Sequence, residues 1–409
     1  MANPTTYASA RQYIGLAVEV TQGTAVVPAV TLPVDAFSPF DQPTWLDDKA
    51  LRGSMTEPYN RVQGVEHTEF DMGGPAYFDT MPYLLNNIFG DIVYSGTYTG
   101  SGTTTLSSGS AVGATTINTV ASISNGTLIQ IDTGTSSEVR TTTGVSGAGP
   151  FAVTFTGGLN VAHLSAAVVK PITFPYSEIF STYNTGNGQP GSLTITDYQG
   201  PTASAGMRAY SGCCLSELTL KGTVDSSTVM YTAKGMGWPS ASAATFASSP
   251  STVLPQAAWE ATVGVNGTIG SAPILTVNDY EFNIKRELEL IYTAQNSKNP
   301  YSIFRGKLTA SGKLSFVIND ETPLTYLLSN TQPQLQLLVS NGLSGANLLA
   351  MQFDVQKAAY STSKINRGKA AVQYDTEWDG IATTTNAGWT GGFSPMAITV
   401  QNAVAPSTF

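Results

Sequence analysis

Two stretches of the chain repeat each other across more than half its length, and no other feature limits the fold as much. Pro58 to Asn87 reads PYNRVQGVEHTEFDMGGPAYFDTMPYLLNN, and Pro300 to Asn330 reads PYSIFRGKLTASGKLSFVINDETPLTYLLSN. Pro58-Tyr59 faces Pro300-Tyr301 and Gly64 faces Gly306, a separation of 242. Asp79-Thr80 faces Glu321-Thr322, and Tyr83-Leu84-Leu85 faces Tyr326-Leu327-Leu328, the last at a separation of 243. Upstream, Leu32-Pro33-Val34-Asp35 faces Leu275-Thr276-Val277-Asn278, again 243 apart. An ordered set of matches at nearly constant spacing marks a duplicated module with one residue inserted.

Each copy has the same local pattern: strand, turn, second strand, capped helix. In the second copy Phe304, Gly306, Leu308, Ala310, Gly312, Leu314 and Phe316 are predicted to share a buried face. Arg305, Lys307, Thr309, Ser311, Lys313 and Ser315 alternate with them on the other face, the period of a half-buried strand. Upstream, Tyr280, Phe282, Ile284, Leu288 and Leu290 alternate with Asp279, Glu281, Asn283, Lys285, Glu287 and Glu289, and Arg286 alone breaks the apolar set. The helix of the second copy is expected to start at Asp320 or Thr322 with Pro323 in its first turn. Asp79 or Thr80 with Pro82 does the same in the first copy, so Tyr83, Leu84, Leu85, Tyr326, Leu327 and Leu328 are read as helix and core.

After Gly90-Asp91 the first copy enters SGTYTGSGTTTLSSGSAVGATTINTV, rich in Ser, Thr and Gly, with short apolar alternations further on at LIQID and FAVTF. Residues 96–175 are therefore read as a small inserted β-domain. The first unit is expected to cover 1–95 and 176–240 and the second 257–409, with Pro239 to Gln256 as the linker. The abundance of Gly (40) and Pro (22) agrees with many short strands and turns.

Charge decides what such a β-protein can bind. Nineteen basic against 28 acidic residues give −9, whereas a tight binder of phosphate backbones is normally basic. Only 11% of residues are charged, against about 25% in an average soluble domain, which suggests a surface covered by assembly. No apolar run reaches the roughly 18 residues of a membrane span, and no basic segment followed by an apolar one marks a signal peptide. Two adjacent cysteines, Cys213 and Cys214, fit a reduced, cytosolic birthplace.

Catalytic motifs are thin. Gly186-Asn-Gly188-Gln-Pro-Gly191 has dinucleotide-fingerprint spacing, but Pro190 sits inside it and a strand pattern follows, so it reads as a loop. Asp132-Thr133-Gly134-Thr135 follows LIQI as an aspartic-protease triplet would, yet that chemistry needs two carboxylates and no second triplet exists; a hairpin turn is the reading preferred. His67, Glu69 and Asp71 share a strand face and read as solvated rather than metal-binding; His163 reads as a loop residue. Two histidines in all leave little room for a catalytic triad, and Cys213 and Cys214 read as small buried apolar groups. No enzyme, cofactor or metal is expected.

The opening IGLAVEVTQGTAVVPAVTLPV resembles the tail tube (major tail) proteins of long-tailed bacteriophages, notably those infecting actinobacteria. So do LRGSM, YNRVQGVEHTEFDMGGPAYFDT and YLLNNIFGD. Matching positions include Ile14, Gly15, Glu19, Thr21, Gly23, Thr24, Ala25, Pro28, Leu51, Arg52, Gly53, Ser54, Gly73, Gly74, Asp79, Leu84, Leu85 and Gly90. The resemblance covers about the first 95 residues, and the 96–175 insert departs from it. It implies a mainly β fold of two tandem β-sandwich or split-barrel domains, each with one flanking helix, plus the inserted β-domain. It further implies stacked rings whose inner sheets fuse into a barrel around a lumen that passes double-stranded DNA non-specifically. The partners implied are other copies of the chain and other tail proteins, in a virion tail synthesised in the host cytoplasm, with no membrane involved. Rings of this family are commonly hexamers of one-domain subunits, so a doubled chain would close as a trimer with pseudo-sixfold symmetry. On this reading Glu69, Asp71, Glu281, Glu287, Glu289 and Lys313 are candidate lumen-facing residues, an acidic lining tempered by Lys307 and Lys313. A second reading is a virion adhesion protein binding host or carbohydrate through the insert, which should show an exposed Trp/Tyr platform, although the insert has no Trp.

Overall fold

Alternating apolar and polar residues give long antiparallel strands. A computed structural model describes residues 9–50, 52–53, 55–199, 207–243 and 246–405. Leu51 and Ser54 of the LRGSM stretch lie outside the described residues. In the first half β1 (Tyr13–Val18), β2 (Val30–Leu32), β3 (Ala36–Asp48) and β4 (Asn60–Pro75) precede α1 (Met81–Phe89). Then come β5 (Gly90–Tyr98), β6 (Thr104–Thr105), β7 (Thr116–Thr119), β8 (Leu128–Ile131), β9 (Glu138–Ser146) and β10 (Phe151–Phe155). β11 (Val168–Thr182), β12 (Leu193–Tyr198), β13 (Met207–Thr223), β14 (Met230–Gly237) and β15 (Ala241–Ser242) complete that half. The second half has β16 (Ala261–Val265), β17 (Val277–Ile291), β18 (Ser302–Val317), α2 (Thr322–Ser329), β19 (Leu335–Ser340) and β20 (Ala350–Val355). β21 (Ala358–Asn366), β22 (Gln373–Gly380) and β23 (Ala397–Asn402) end it.

Two large antiparallel sheets form a mainly β sandwich. In the first, eight strands run side by side in the order β3-β4-β14-β13-β17-β18-β22-β21, and β12, β1, β2 and β15 branch from β13. The second runs β16-β19-β20-β23-β11, with β5 and the strands of residues 104–155 joined to it. One continuous core lies between them. Leu218, Phe282, Leu314 and Trp378 of the first sheet meet Leu337, Phe353 and Ile398 of the second. Phe282 packs 4.6 Å from Phe353 and 5.1 Å from Trp378, ring centre to ring centre.

The eight-strand run contains the same irregularities twice. A β-bulge opens between Pro43 and Trp45, which face Glu66 and Gln63. Another opens between Arg286 and Leu288, which face Leu308 and Arg305. Those positions are 243 apart on β3 and β17 and 242 apart on β4 and β18, the offsets of the repeat. A second pair of bulges follows: Leu215/Glu217 against Gly235/Lys234, and Tyr360/Thr362 against Trp378/Glu377. A bulge is a specific local insertion, so its repetition at matched registers aligns β3, β4, β14 and β13 with β17, β18, β22 and β21.

Bulges also explain where alternation misleads. Strict alternation predicts Phe304 on the buried face and Arg305 on the polar one, but Phe304 is exposed and Arg305 is buried. The extra residue on β18 shifts that strand's phase, so ahead of Leu308 it is Ile303 and Arg305, not Phe304, that share the side of Ala310 and Leu314. Ile303 there joins Cys214 and Trp238 in a separate small core, with Leu288 and Leu290 packed against it. Arg286, the break in the apolar set, is also buried. α2 is bounded by Glu321 rather than Asp320 or Thr322, although the Asp320 carboxylate accepts the Thr322 N–H at 2.8 Å. Thr80 bounds α1 as expected.

Residues 104–169 carry their own hydrophobic cluster, including Leu106, Ile117, Ile129, Val153 and Phe155. β5 and β11 run from this cluster into the main body and pair from Tyr98↔Ile172 to Gly90↔Thr182.

Candidate functional surface

The face of the eight-strand run turned away from the core is a ladder of alternating charge. Directly opposed residues in antiparallel strands lie on one side of the sheet. Asp71 faces Lys234, Lys234 faces Glu217, and Glu217 faces Lys285. A second row runs Lys221, Glu281, Lys313, Glu377. Lys285 Nζ is 3.2 Å from Glu217 and Lys313 Nζ is 3.2 Å from Glu377. Partial burial alone would raise the Glu217 carboxyl, but Asn283, donating at 2.9 Å, and Lys285 hold it below its ordinary value. Exposed pairs of this kind contribute at most about 1 kcal/mol each; their effect is on register and on the potential of the face.

The structure brings together all six of the residues anticipated for this face. Glu69, Asp71, Glu281, Glu287, Glu289 and Lys313 lie on it, and Glu69 accepts a hydrogen bond from Gln42 at 2.8 Å. Glu287 stands opposite the bulge of β18, where Gly306 and Lys307 together oppose it, and Glu289 faces Phe304. β17 carries no extra residue over this stretch, so Glu281, Glu287 and Glu289, an even number of residues apart, share the side of Lys313. Glu217, Lys221, Lys234, Lys285 and Glu377 complete the rows. Their strands were legible as alternating segments, but which strands adjoin was not, so the sign alternation could not be seen.

The two YLL triplets differ. Tyr83, Leu84 and Leu85 are buried in α1, whereas Leu328 in α2 is 78% exposed and Tyr326 and Leu327 are half-buried. A groove of about 400 Å³ beside α2 is lined by Leu275, Phe316, Pro323, Tyr326, Tyr360 and Tyr374, among others.

Two buried arginines tie the halves together. Arg286 donates to the carbonyls of Ile88 (2.7 Å) and Phe89, and Arg305 to those of Asn87 (2.9 Å), Gly191 (3.1 Å) and Pro190. These groups close the C-terminal end of α1, where the helix dipole favours cations. Burial pulls Arg286 down to about 10, and neighbouring Arg305 adds to the effect. The Gly186–Gly191 segment is the loop that presents the Pro190 and Gly191 carbonyls, and Gln189 exchanges hydrogen bonds with the Arg305 backbone at 2.8 and 3.0 Å.

The remaining motifs have structural partners. Asp132 turns the chain between β8 and β9 at φ 65, and its carboxylate lies 3.2 Å from His163 Nδ1. His163 Nε2 is 2.6 Å from Glu138, which also pairs with Arg140 at 2.7 Å. Burial would lower the His163 pKa, but the two carboxylates outweigh it and the net shift is upward. His67 sits 3.6 Å from Glu69 and 3.5 Å from the Tyr292 hydroxyl. Cys213 and Cys214 are buried free thiols, and burial raises both. Among the described residues no cluster of three potential ligands could hold a metal ion, and no helix is long and apolar enough to cross a membrane.

No curated protein matches the chain. The family model described as phage tail tube protein matches residues 9–380. A sandwich with one long, solvent-facing, charge-patterned sheet suits a structural tube component, and with a match over nearly its whole length the chain belongs to the phage tail tube protein family.

Proposed function

We propose that three copies of this chain close into a ring, that rings stack into the phage tail tube, and that the genome passes through the channel during ejection. In this reading 1–95 with 176–240 form one tube module, 257–409 the second, and 96–175 an appended β-domain on the outside. The observation that carries it is the eight-strand run itself: two four-strand units with matching bulges lie side by side, and β3 and β21 end the run without a further strand partner among the described residues. Three such sheets joined head to tail give about 24 strands, a number that encloses an open lumen. Heterologous contacts of this kind close rings.

The charge-alternating face lines the channel. Duplex DNA carries about one negative charge per 1.7 Å, and a basic lining would hold it by counterion release. Rows in which every acid faces a base present no continuous strip of either sign, and the chain as a whole is −9. Such a wall neither binds the duplex nor blocks it. Other copies and other tail proteins are the lasting partners, in the virion tail; DNA is a transient one. Negative-stain microscopy of the purified chain tests the reading: hollow filaments are expected, and particles that never stack into a channelled tube would refute it.

A further inference from the structure

The junction between the two halves of one chain is also a template for the junction between chains. β13 of the first unit pairs with β17 of the second: Glu217↔Lys285, Thr219↔Asn283, Leu220↔Phe282 and Lys221↔Glu281. The matched bulges make β21 the counterpart of β13, shifted by 145, and β3 the counterpart of β17, shifted by 243. β21 and β3 are the two open edges of the run. Carrying the internal register onto these edges fixes how two copies would meet. We infer that β21 of one copy pairs antiparallel with β3 of the next, in the register Thr362↔Gln42, Lys364↔Phe40, Ile365↔Pro39 and Asn366↔Ser38. The inference rests on the ring reading above and goes beyond it by naming the seam residue by residue.

Observations on both edges fit that register. Thr362 and Lys364 face Glu377 and Asp375, while Gln42 and Phe40 face His67 and Glu69, so both partners of each pair lie on the charged face. Ile365 and Pro39 face the buried residues Tyr374 and Phe70, so they meet on the core side. Ile365 is 44% exposed and Phe40 is 63% exposed, which leaves apolar surface at both edges to be covered. Pro39 and Pro43 lack N–H donors, which is tolerated at a sheet edge and guards β3 against indiscriminate pairing. The chemistry also separates the two kinds of junction. Inside the chain, Glu217↔Lys285 and Lys221↔Glu281 are opposed charges; at the seam the equivalent pairs, Thr362↔Gln42 and Asn366↔Ser38, are neutral and polar. β3 of a second copy therefore brings no charges to satisfy β13, and the internal junction is not mistaken for the external one.

The hairpin next to the seam has a counterpart too. Within the chain the β17–β18 hairpin reaches back to close the end of α1 through Arg286 and Arg305. The β3–β4 hairpin projects Trp45, Leu46 and Val62, each more than half exposed. α2 packs on β21 beside the open edge, with Leu328 exposed where its counterpart Leu85 is fully buried. The arriving hairpin of the second copy lies towards this end of α2.

Paired cysteines read the register directly. Opposed positions have Cβ atoms about 4.5–5.5 Å apart, within reach of a disulfide after small adjustments, whereas diagonal positions are about 7–8 Å apart. The double variants Thr362→Cys with Gln42→Cys, and Lys364→Cys with Phe40→Cys, are oxidised after assembly and run on a denaturing gel. Covalent trimers, and nothing larger, are expected. The crossed variants, Thr362→Cys with Phe40→Cys and Lys364→Cys with Gln42→Cys, test a slip of two residues that would keep every side chain on its face. They are expected to give roughly tenfold less covalent product. Filaments whose matched pairs fail to link, or whose crossed pairs link equally well, overturn the seam and leave the tube reading standing. A wild-type chain that forms neither filaments nor rings overturns both.

Discussion

At the scale of residues, the two units fill one cross-strand position from opposite strands. In the first, Phe70 on β4 covers Gly235 on β14; a Cβ on Gly235 would come within 2.5 Å of the Phe70 ring. In the second, Gly312 on β18 lies under Trp378 on β22, and a Cβ there would come within 2.3 Å of the indole. The pairs occupy equivalent places with the large and small partners exchanged, so packing is kept while sequence identity is lost. Gly312→Ala should lower stability by about 1–3 kcal/mol through overpacking, read as a shifted midpoint in denaturant unfolding. Glu178 is the other informative residue. Burial pushes its carboxyl up to about 8, one of its oxygens has no hydrogen-bond partner, and Asn402 approaches the other at 3.5 Å. The folded state therefore holds a proton that the unfolded chain releases near 4.5, so stability declines as the pH rises from about 4.5 to about 8. Glu178→Gln should remove that decline, a gain on the order of a few kcal/mol above pH 8, measured as unfolding midpoints across pH.

At the scale of elements, the β17–β18 hairpin joins the two halves, and its hold on α1 is an arginine matter. Arg305→Ala would leave the carbonyls of Asn87, Gly191 and Pro190 without their donor. A loss of about 1–3 kcal/mol in unfolding free energy is expected, as for any buried polar group deprived of its partner. That contact also shows how far sequence reaches. Alternation from Phe304 to Phe316 gave the strand, and the shared offset gave the duplication. A bulge, however, inserts one residue without any compositional mark, so the phase of β18 ahead of Leu308 could not be read. Phe304 and Arg305 were thus exchanged between faces. The charged rows escaped notice for a different reason: Lys234 and Glu217 become neighbours only when β14 and β13 pair, and strand order is a long-range property. Duplicated spacing is equally silent on burial, since Leu85 and Leu328 are the same letter in the same motif with opposite exposure.

At the scale of the whole molecule, residues 104–169 carry a hydrophobic cluster of their own, which supports the proposal that they are an appendage. Tyr98 and Ile172 are directly paired, so a two-residue Asn-Gly turn can replace residues 99–171 without breaking the β5–β11 ladder. The shortened chain is expected to fold and to form filaments of unchanged channel width by electron microscopy. Failure of a folded variant to assemble would place the insert in the ring contacts instead. The central claim is that the two halves of each chain act as consecutive staves of one barrel. Helical reconstruction of the assembled filament by electron cryomicroscopy measures it most directly. The expected map shows three chains per ring, a continuous wall of about 24 strands, and the Glu281–Lys313–Glu377 row facing the channel. Six chains per ring, or a lumen walled by any surface other than this sheet, would contradict it.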